Sequence, residues 1–157
     1  MRGGRGMSKL NAIGMLAGIS ASAASAQEPT IDQLLATPTA GEIVARWKSV
    51  CFDHAGNIDA QIQAIKDTGL TWPYQAMTGR RGRKPYCMVL SSTKSGTAAA
   101  DFKGPLSTAI GRPPEALKAE GKGLSTEFEV AGTRYWISVS LENPGGNLVS
   151  TVVIAAE

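Results

Sequence analysis

The stretch EFEVAGTRYWISVSL (residues 127–141) decides the fold, because two runs of alternating polar and apolar residues flank a short turn signal. Alternation with a period of two is typical of strands that bury one face. A two-residue turn at Ala131-Gly132 would pair Phe128 with Tyr135 and keep the two strands' faces consistent, whereas a three-residue loop would mix them. The sequence therefore predicts a β-hairpin that turns at Ala131-Gly132.

Other segments extend this hairpin into an antiparallel sheet of about four strands. Residues 86–91 predict a strand, and residues 148–155 predict a last strand after a Gly- and Asn-rich turn. Residues 71–78 predict an edge strand or a loop, because Pro73 lacks the N–H that a central strand needs. Several Gly and Pro residues interrupt residues 92–123, where we expect only short helical pieces.

Two helices precede the sheet. Thr39 and Glu42 have the spacing of a capping box, in which each side chain accepts a hydrogen bond from the other residue's backbone. The helical stripe that follows consists of Ile43, Trp47, Val50, Cys51 and His54. Asn57 is a suitable N-cap for a second helix, with Gly69 as its end and a stripe of Ile58, Ile62 and Ile65. The fold class predicted is α+β, with an N-terminal helix pair packed on one face of the sheet.

The first 26 residues have the pattern of a cleavable signal peptide. Arg2, Arg5 and Lys9 precede a short apolar run, and Ala24-Ser25-Ala26 fits an A-x-A cleavage site before Gln27. The apolar run covers about ten residues, whereas a membrane span needs about twenty. We therefore expect a periplasmic or secreted protein without a membrane span, cut after Ala26. Residues 27–39 would form an extended arm, and residues 40–157 a single domain.

Removal of the signal peptide changes the charge balance. Three of the 16 basic residues and none of the 13 acidic residues fall within residues 1–26, which leaves 13 of each from residue 27 onward. The basic character of the whole chain therefore belongs to the leader. A near-neutral chain gives no electrostatic reason to expect binding to nucleic acid.

Two cysteines define the next question. Cys51 lies on the apolar stripe of the first helix and Cys87 in a predicted strand, so both would face the layer between helix and sheet. In an exported protein such a pair favours a disulfide. The alternative is a reactive Cys51 thiolate beside His54, three residues further along the helix. The spacing of these residues matches no common zinc pattern, so we expect neither a metal nor a cofactor.

A basic turn is the first candidate binding element. Arg80, Arg81, Arg83 and Lys84 lie within five residues and have no acidic neighbour between them. Such a cluster either solubilises an edge of the sheet or contacts an anion. The anionic partner would be an acidic protein, a phosphate head group or an envelope polysaccharide.

The face of the sheet away from the helices is the second candidate. If Cys87 points toward the helices, then Tyr86, Met88 and Trp136 point the other way, onto a face expected to be wet. Either the arm covers them through Ile31, Leu34 and Leu35, or they form a partner or dimer interface.

The chain also resembles small uncharacterised exported proteins of Gram-negative bacteria. The resemblance rests on Trp47-x-x-x-Cys51, on Gly69-x-x-Trp72 and on the late Tyr135-Trp136 strand. It implies a leader, a helix with one cysteine and a sheet with the second, but no activity. Together these features predict a non-catalytic binding module. The alternatives are a small thiol-dependent enzyme using Cys51 and His54, and an oligomeric structural component of the cell envelope.

Overall fold

Three α-helices and a six-stranded antiparallel sheet make up residues 37–157, the part of the chain that this computed structural model describes. The helices are α1 (Ala40–Val50), α2 (Ile58–Thr68) and α3 (Ala100–Ile110). The strands are β1 (Tyr74–Arg81), β2 (Lys84–Ser92), β3 (Lys118–Glu120), β4 (Gly123–Val130), β5 (Thr133–Glu142) and β6 (Val149–Ala156), in the spatial order β1-β2-β6-β5-β4-β3. The α+β class is confirmed, with more strands and one more helix than predicted. The predicted signal peptide and residues 27–36 of the predicted arm lie outside the described residues.

The central hairpin has the predicted register. Strands β4 and β5 turn at Ala131-Gly132, and Phe128 pairs with Tyr135. One face of the sheet, here called the inner face, carries the buried residues of the strands and packs against the helices. Its most deeply buried apolar side chains are Cys87, Val89, Ile137, Val139, Val152 and Ile154.

Helix α1 begins with the predicted capping box. The Thr39 backbone N–H donates to Glu42 Oε2 at 2.7 Å, and the Glu42 backbone N–H donates to Thr39 Oγ1 at 3.3 Å. Because the hydrogen bond from Thr39 favours the carboxylate, it lowers the pKa of Glu42. The helix ends at Val50, and the predicted stripe continues into a separate 3₁₀ turn, Phe52–His54.

Helix α2 has the predicted ends but not the predicted buried stripe. Asn57 Oδ1 accepts from the Ala60 backbone N–H at 3.1 Å, and Gly69 closes the helix with a positive φ of 55°. Ile62, however, is 38% exposed, whereas Gln61 is only 2% exposed. The stripe is displaced because Gln61 Nε2 donates to the Cys51 carbonyl at 3.2 Å and Gln61 Oε1 accepts from the hydroxyl of Thr78. Gln61 thus joins α2 to α1 and to β1.

Replacing Gln61 with leucine should lower the free energy of unfolding by about 1–3 kcal/mol, because the Cys51 carbonyl loses its amide donor in a buried site. Gln63→Leu is the matched control, since Gln63 lies on the same helix and is exposed. Gln63→Leu should change the free energy of unfolding by no more than about 0.5 kcal/mol. Urea denaturation of both variants measures the difference. A Gln61→Leu variant as stable as the control would contradict this role.

The segment predicted to hold only short helical pieces contains the three-turn helix α3 and the short strand β3. Pro105 lies inside α3, where it lacks an N–H and costs about 3 kcal/mol. Phe102, Leu106 and Ile110 recur every four residues and are all buried in the core. Burial of each such side chain contributes about 1.5–3 kcal/mol, so their sum outweighs the cost of the proline.

Candidate functional site

The face of the sheet opposite the helices, here called the outer face, carries an apolar groove. The groove has a volume of about 440 Å³ and lies across β2, β6 and β5. The residues that line it are Arg81, Lys84, Tyr86, Met88, Trp136, Val153, Ala155 and Ala156. A concave, mainly apolar site of this size is within the range of small-molecule pockets.

The register of the strands explains how these residues meet. Tyr86 pairs with Ala155, and Ala155 pairs in turn with Trp136, so the three side chains form one row across the sheet. Met88 pairs with Val153 in the next outer-face row. The predicted trio of Tyr86, Met88 and Trp136 is therefore brought into one site, although its role in an interface stays a prediction.

The lining residues of the groove differ in their exposure to solvent. Trp136 is 37% exposed, while Tyr86, Met88, Val153 and Ala155 are all partly buried. Tyr86 leans across the hairpin, because a Cβ atom on its neighbour Gly79 would lie 3.3 Å from the Tyr86 hydroxyl. Gly79 thus provides the space that the tyrosine ring fills.

The apolar character of the outer face is confined to one side of the sheet. Strands β2 and β6 carry apolar residues on both faces, which is unusual for an antiparallel sheet with one face in water. Strands β4 and β5 show ordinary alternation apart from Trp136. Their other outer-face residues are polar, namely Ser125, Glu127, Glu129, Arg134, Ser138, Ser140 and Glu142. Polar residues therefore bound the apolar patch on the side of β4 and β5.

The sheet divides the predicted basic turn into two halves. Arg81 and Lys84 are direct partners across the β1–β2 hairpin, and both line one end of the groove. Arg80 pairs with Pro85 on the inner side, where it donates to the Arg83 carbonyl at 3.3 Å. The turn itself consists only of Gly82 and Arg83.

None of these four cations takes part in a salt bridge within residues 37–157. The ion pairs of that region join Lys48 to Asp53 and Arg134 to Glu157. Arg81 and Lys84 thus bring two positive charges to an apolar groove without a carboxylate partner among the described residues. Such an arrangement can attract the anionic part of a ligand.

The sequence did not indicate the β6 residues of the groove, which are Val153, Ala155 and Ala156. A signal for them was present, because the strand VSTVVIAA (residues 149–156) lacks alternation in its second half. A strand that is apolar on both faces is usually covered on both faces. Their place beside Tyr86 and Met88 depends on the pairing of β6 with β2, which is a long-range contact.

The predicted disulfide between Cys51 and Cys87 is confirmed. The Cα atoms are 5.4 Å apart, and both residues are fully buried between α1 and the inner face. Cys51 therefore has no thiol to pair with His54. Within residues 37–157, no group of three or more His, Cys, Asp or Glu side chains is arranged to hold a metal ion.

No helix within residues 37–157 is both long enough and apolar enough to cross a membrane. The resemblance to small exported proteins of Gram-negative bacteria stays a prediction. No protein-family model, no curated protein and no solved structure matches this chain.

Proposed function

We propose that this chain is a non-catalytic binding protein of the periplasm, whose anionic partner occupies the groove on the outer face. The observation that carries the proposal is that an apolar floor adjoins Arg81 and Lys84, two cations without a salt-bridge partner among residues 37–157. An acidic protein, an envelope polysaccharide or a smaller anion would each present the negative charge that this end of the groove attracts.

The location is supported by two independent features. The leader ends in Ala24-Ser25-Ala26, which is suited to cleavage after Ala26. The disulfide between Cys51 and Cys87 is typical of proteins that fold in an oxidising compartment.

A binding role is favoured over thiol chemistry because of the state of Cys51. A nucleophilic cysteine needs an accessible thiolate, whereas Cys51 is fully buried and bonded to Cys87. His54 keeps a partly exposed position at the end of the 3₁₀ turn, without the thiol partner that the enzymatic alternative requires.

An anionic aromatic probe tests whether the groove is an open binding site. We expect anilinonaphthalenesulfonate to bind the folded chain starting at Gln27 with saturable fluorescence, because its rings suit the floor and its sulfonate suits Arg81 and Lys84. Trp136→Ala should weaken binding about ten-fold, equivalent to about 1.4 kcal/mol, through the lost aromatic wall. Trp72→Ala is the matched control, since Trp72 is exposed and lies outside the groove.

Four results would count against the proposal. One is a wild-type chain that does not bind the probe, and another is an equal loss in the two tryptophan variants. The third is a mass that doubles with concentration while probe binding disappears, which would favour an oligomeric interface. If binding appears only after deletion of residues 27–36, the groove belongs to that segment and not to a ligand. Circular dichroism must show that every variant is folded.

A further inference from the structure

We infer that the natural ligand of the groove is a single amphiphile, with an anionic head group and an unbranched aliphatic chain. This inference rests on the proposed function and narrows it to one chemical class. The head group would lie between Arg81 and Lys84, and the chain would lie along Tyr86, Met88 and Val153.

The floor of the groove cannot satisfy the backbone of a bound peptide. Strand β2 lies between β1 and β6, and β6 lies between β2 and β5, so the N–H and C=O groups of both strands pair with their neighbours. Peptides that add to a sheet need an unpaired edge. A peptide laid on this floor would leave its own polar groups without partners, at a cost of about 1–3 kcal/mol each.

A polysaccharide would also leave polar groups, its hydroxyls, without hydrogen-bond partners along most of the groove. The side chains of Val153 and Ala155 offer no hydrogen bond to a hydroxyl group, and the Met88 thioether is only a weak acceptor. The charged groups of the lining lie at one end, on Arg81 and Lys84. A groove that is charged at one end and mainly apolar along the rest suits a molecule with one charged end and one apolar end.

The dimensions and the charges agree with such a molecule. From Lys84 to Met88 the groove follows five residues of β2, and the four steps between them span about 13 Å along an extended strand. That length suits an aliphatic chain of medium length. A carboxylate or phosphate head can accept hydrogen bonds from the Arg81 guanidinium and from the Lys84 ammonium together.

The shape favours a free amphiphile over a membrane surface. The apolar floor residues are only partly exposed, so most of their surface is already covered and is not available to a flat bilayer. Proteins that lie on membranes place projecting apolar side chains into the lipid. A single chain, in contrast, can enter the groove and contact its floor along its whole length.

The test compares three probes on the chain starting at Gln27 by isothermal titration calorimetry. Decanoate carries both head and chain, glycerol monodecanoate has the chain without charge, and acetate has the charge without the chain. We expect saturable one-to-one binding of decanoate, about ten-fold weaker binding of the neutral ester, and no measurable binding of acetate. All three are used below their aggregation concentrations.

A pair of charge variants tests where the head group lies. Arg81→Ser/Lys84→Ser should weaken decanoate binding about ten-fold and change binding of the neutral ester by less than about two-fold. Arg80→Ser/Arg83→Ser removes the same charge from the same hairpin but from residues outside the groove. It should leave both affinities nearly unchanged.

The possible failures have different meanings. Binding of anilinonaphthalenesulfonate without binding of decanoate would overturn the ligand class but leave the proposed function intact, whereas binding of neither would overturn both. Equal losses in the two charge variants would overturn the position of the head group. Cosedimentation with anionic phosphatidylglycerol vesicles, together with no binding of monomeric decanoate, would assign the surface to a membrane and overturn the inference.

Discussion

Replacing both cysteines, as Cys51→Ala/Cys87→Ala, is expected to lower the free energy of unfolding by about 4 kcal/mol. The disulfide links residues that are 36 apart in the sequence, so it removes many conformations from the unfolded chain. In the loop-entropy account, closing a loop of that length is worth about 4 kcal/mol. A domain of this size is stable by about 5–15 kcal/mol, so the variant would lose a large share of its stability.

Guanidinium denaturation with and without a reducing agent measures this loss. Reduced wild-type protein should approach the unfolding midpoint of the double variant, while the variant itself should not respond to the reducing agent. The test separates the covalent link from the packing of the two side chains. A double variant that unfolds at the same denaturant concentration as oxidised wild type would show that the bond contributes nothing to stability.

The disulfide and the central hairpin could be predicted because both follow from local patterns. Period-two alternation and the Ala131-Gly132 turn fix the register of β4 and β5. The helical stripe of α1 then places Cys51 on the side that faces Cys87. Each of these features depends on residues close together in the sequence or on one helix face meeting one strand face.

Helix α3 and the burial of Gln61 could not be predicted from local sequence patterns. Pro105 and Gly104 lower the local helix propensity, and only packing of the four-residue apolar repeat in the core reverses that preference. Gln61 is polar, and its burial depends on two partners, Cys51 and Thr78, that lie ten and seventeen residues away. Tertiary contacts decide both cases, and composition and periodicity do not report them.

The candidate site could likewise be predicted only in part. Strand parity alone places Tyr86, Met88 and Trp136 on the outer face. The pairing of β2 with β6 and of β6 with β5 is needed to bring them into one row. The β1–β2 hairpin places two of the four basic residues, Arg81 and Lys84, at the groove and the other two away from it, which makes a matched charge control available.

Trp47→Ala is expected to destabilise the protein by about 3–5 kcal/mol, the usual cost of removing a large aromatic side chain from a core. Trp47 is fully buried on α1, and its ring centroid lies 5.4 Å from that of Phe52. Phe52 in turn contacts Phe128 on β4, at 5.3 Å between centroids. The tryptophan therefore fills the space between α1 and the sheet and supports an aromatic chain that connects them.

Trp47→Phe separates the cost of lost volume from the cost of burying the unpaired indole N–H. The indole Nε1 of Trp47 has no hydrogen-bond partner among the described residues, so phenylalanine removes a buried donor that costs about 1–3 kcal/mol unpaired. Removal of this donor should offset part of the free energy lost through the cavity, which is also smaller than in Trp47→Ala. Trp47→Phe should therefore be markedly more stable than Trp47→Ala in urea denaturation. Trp72 is 61% exposed, so Trp72→Ala should lower the free energy of unfolding far less than either substitution of Trp47. Equal losses for Trp47→Ala and Trp72→Ala would show that Trp47 does not anchor the helix on the sheet.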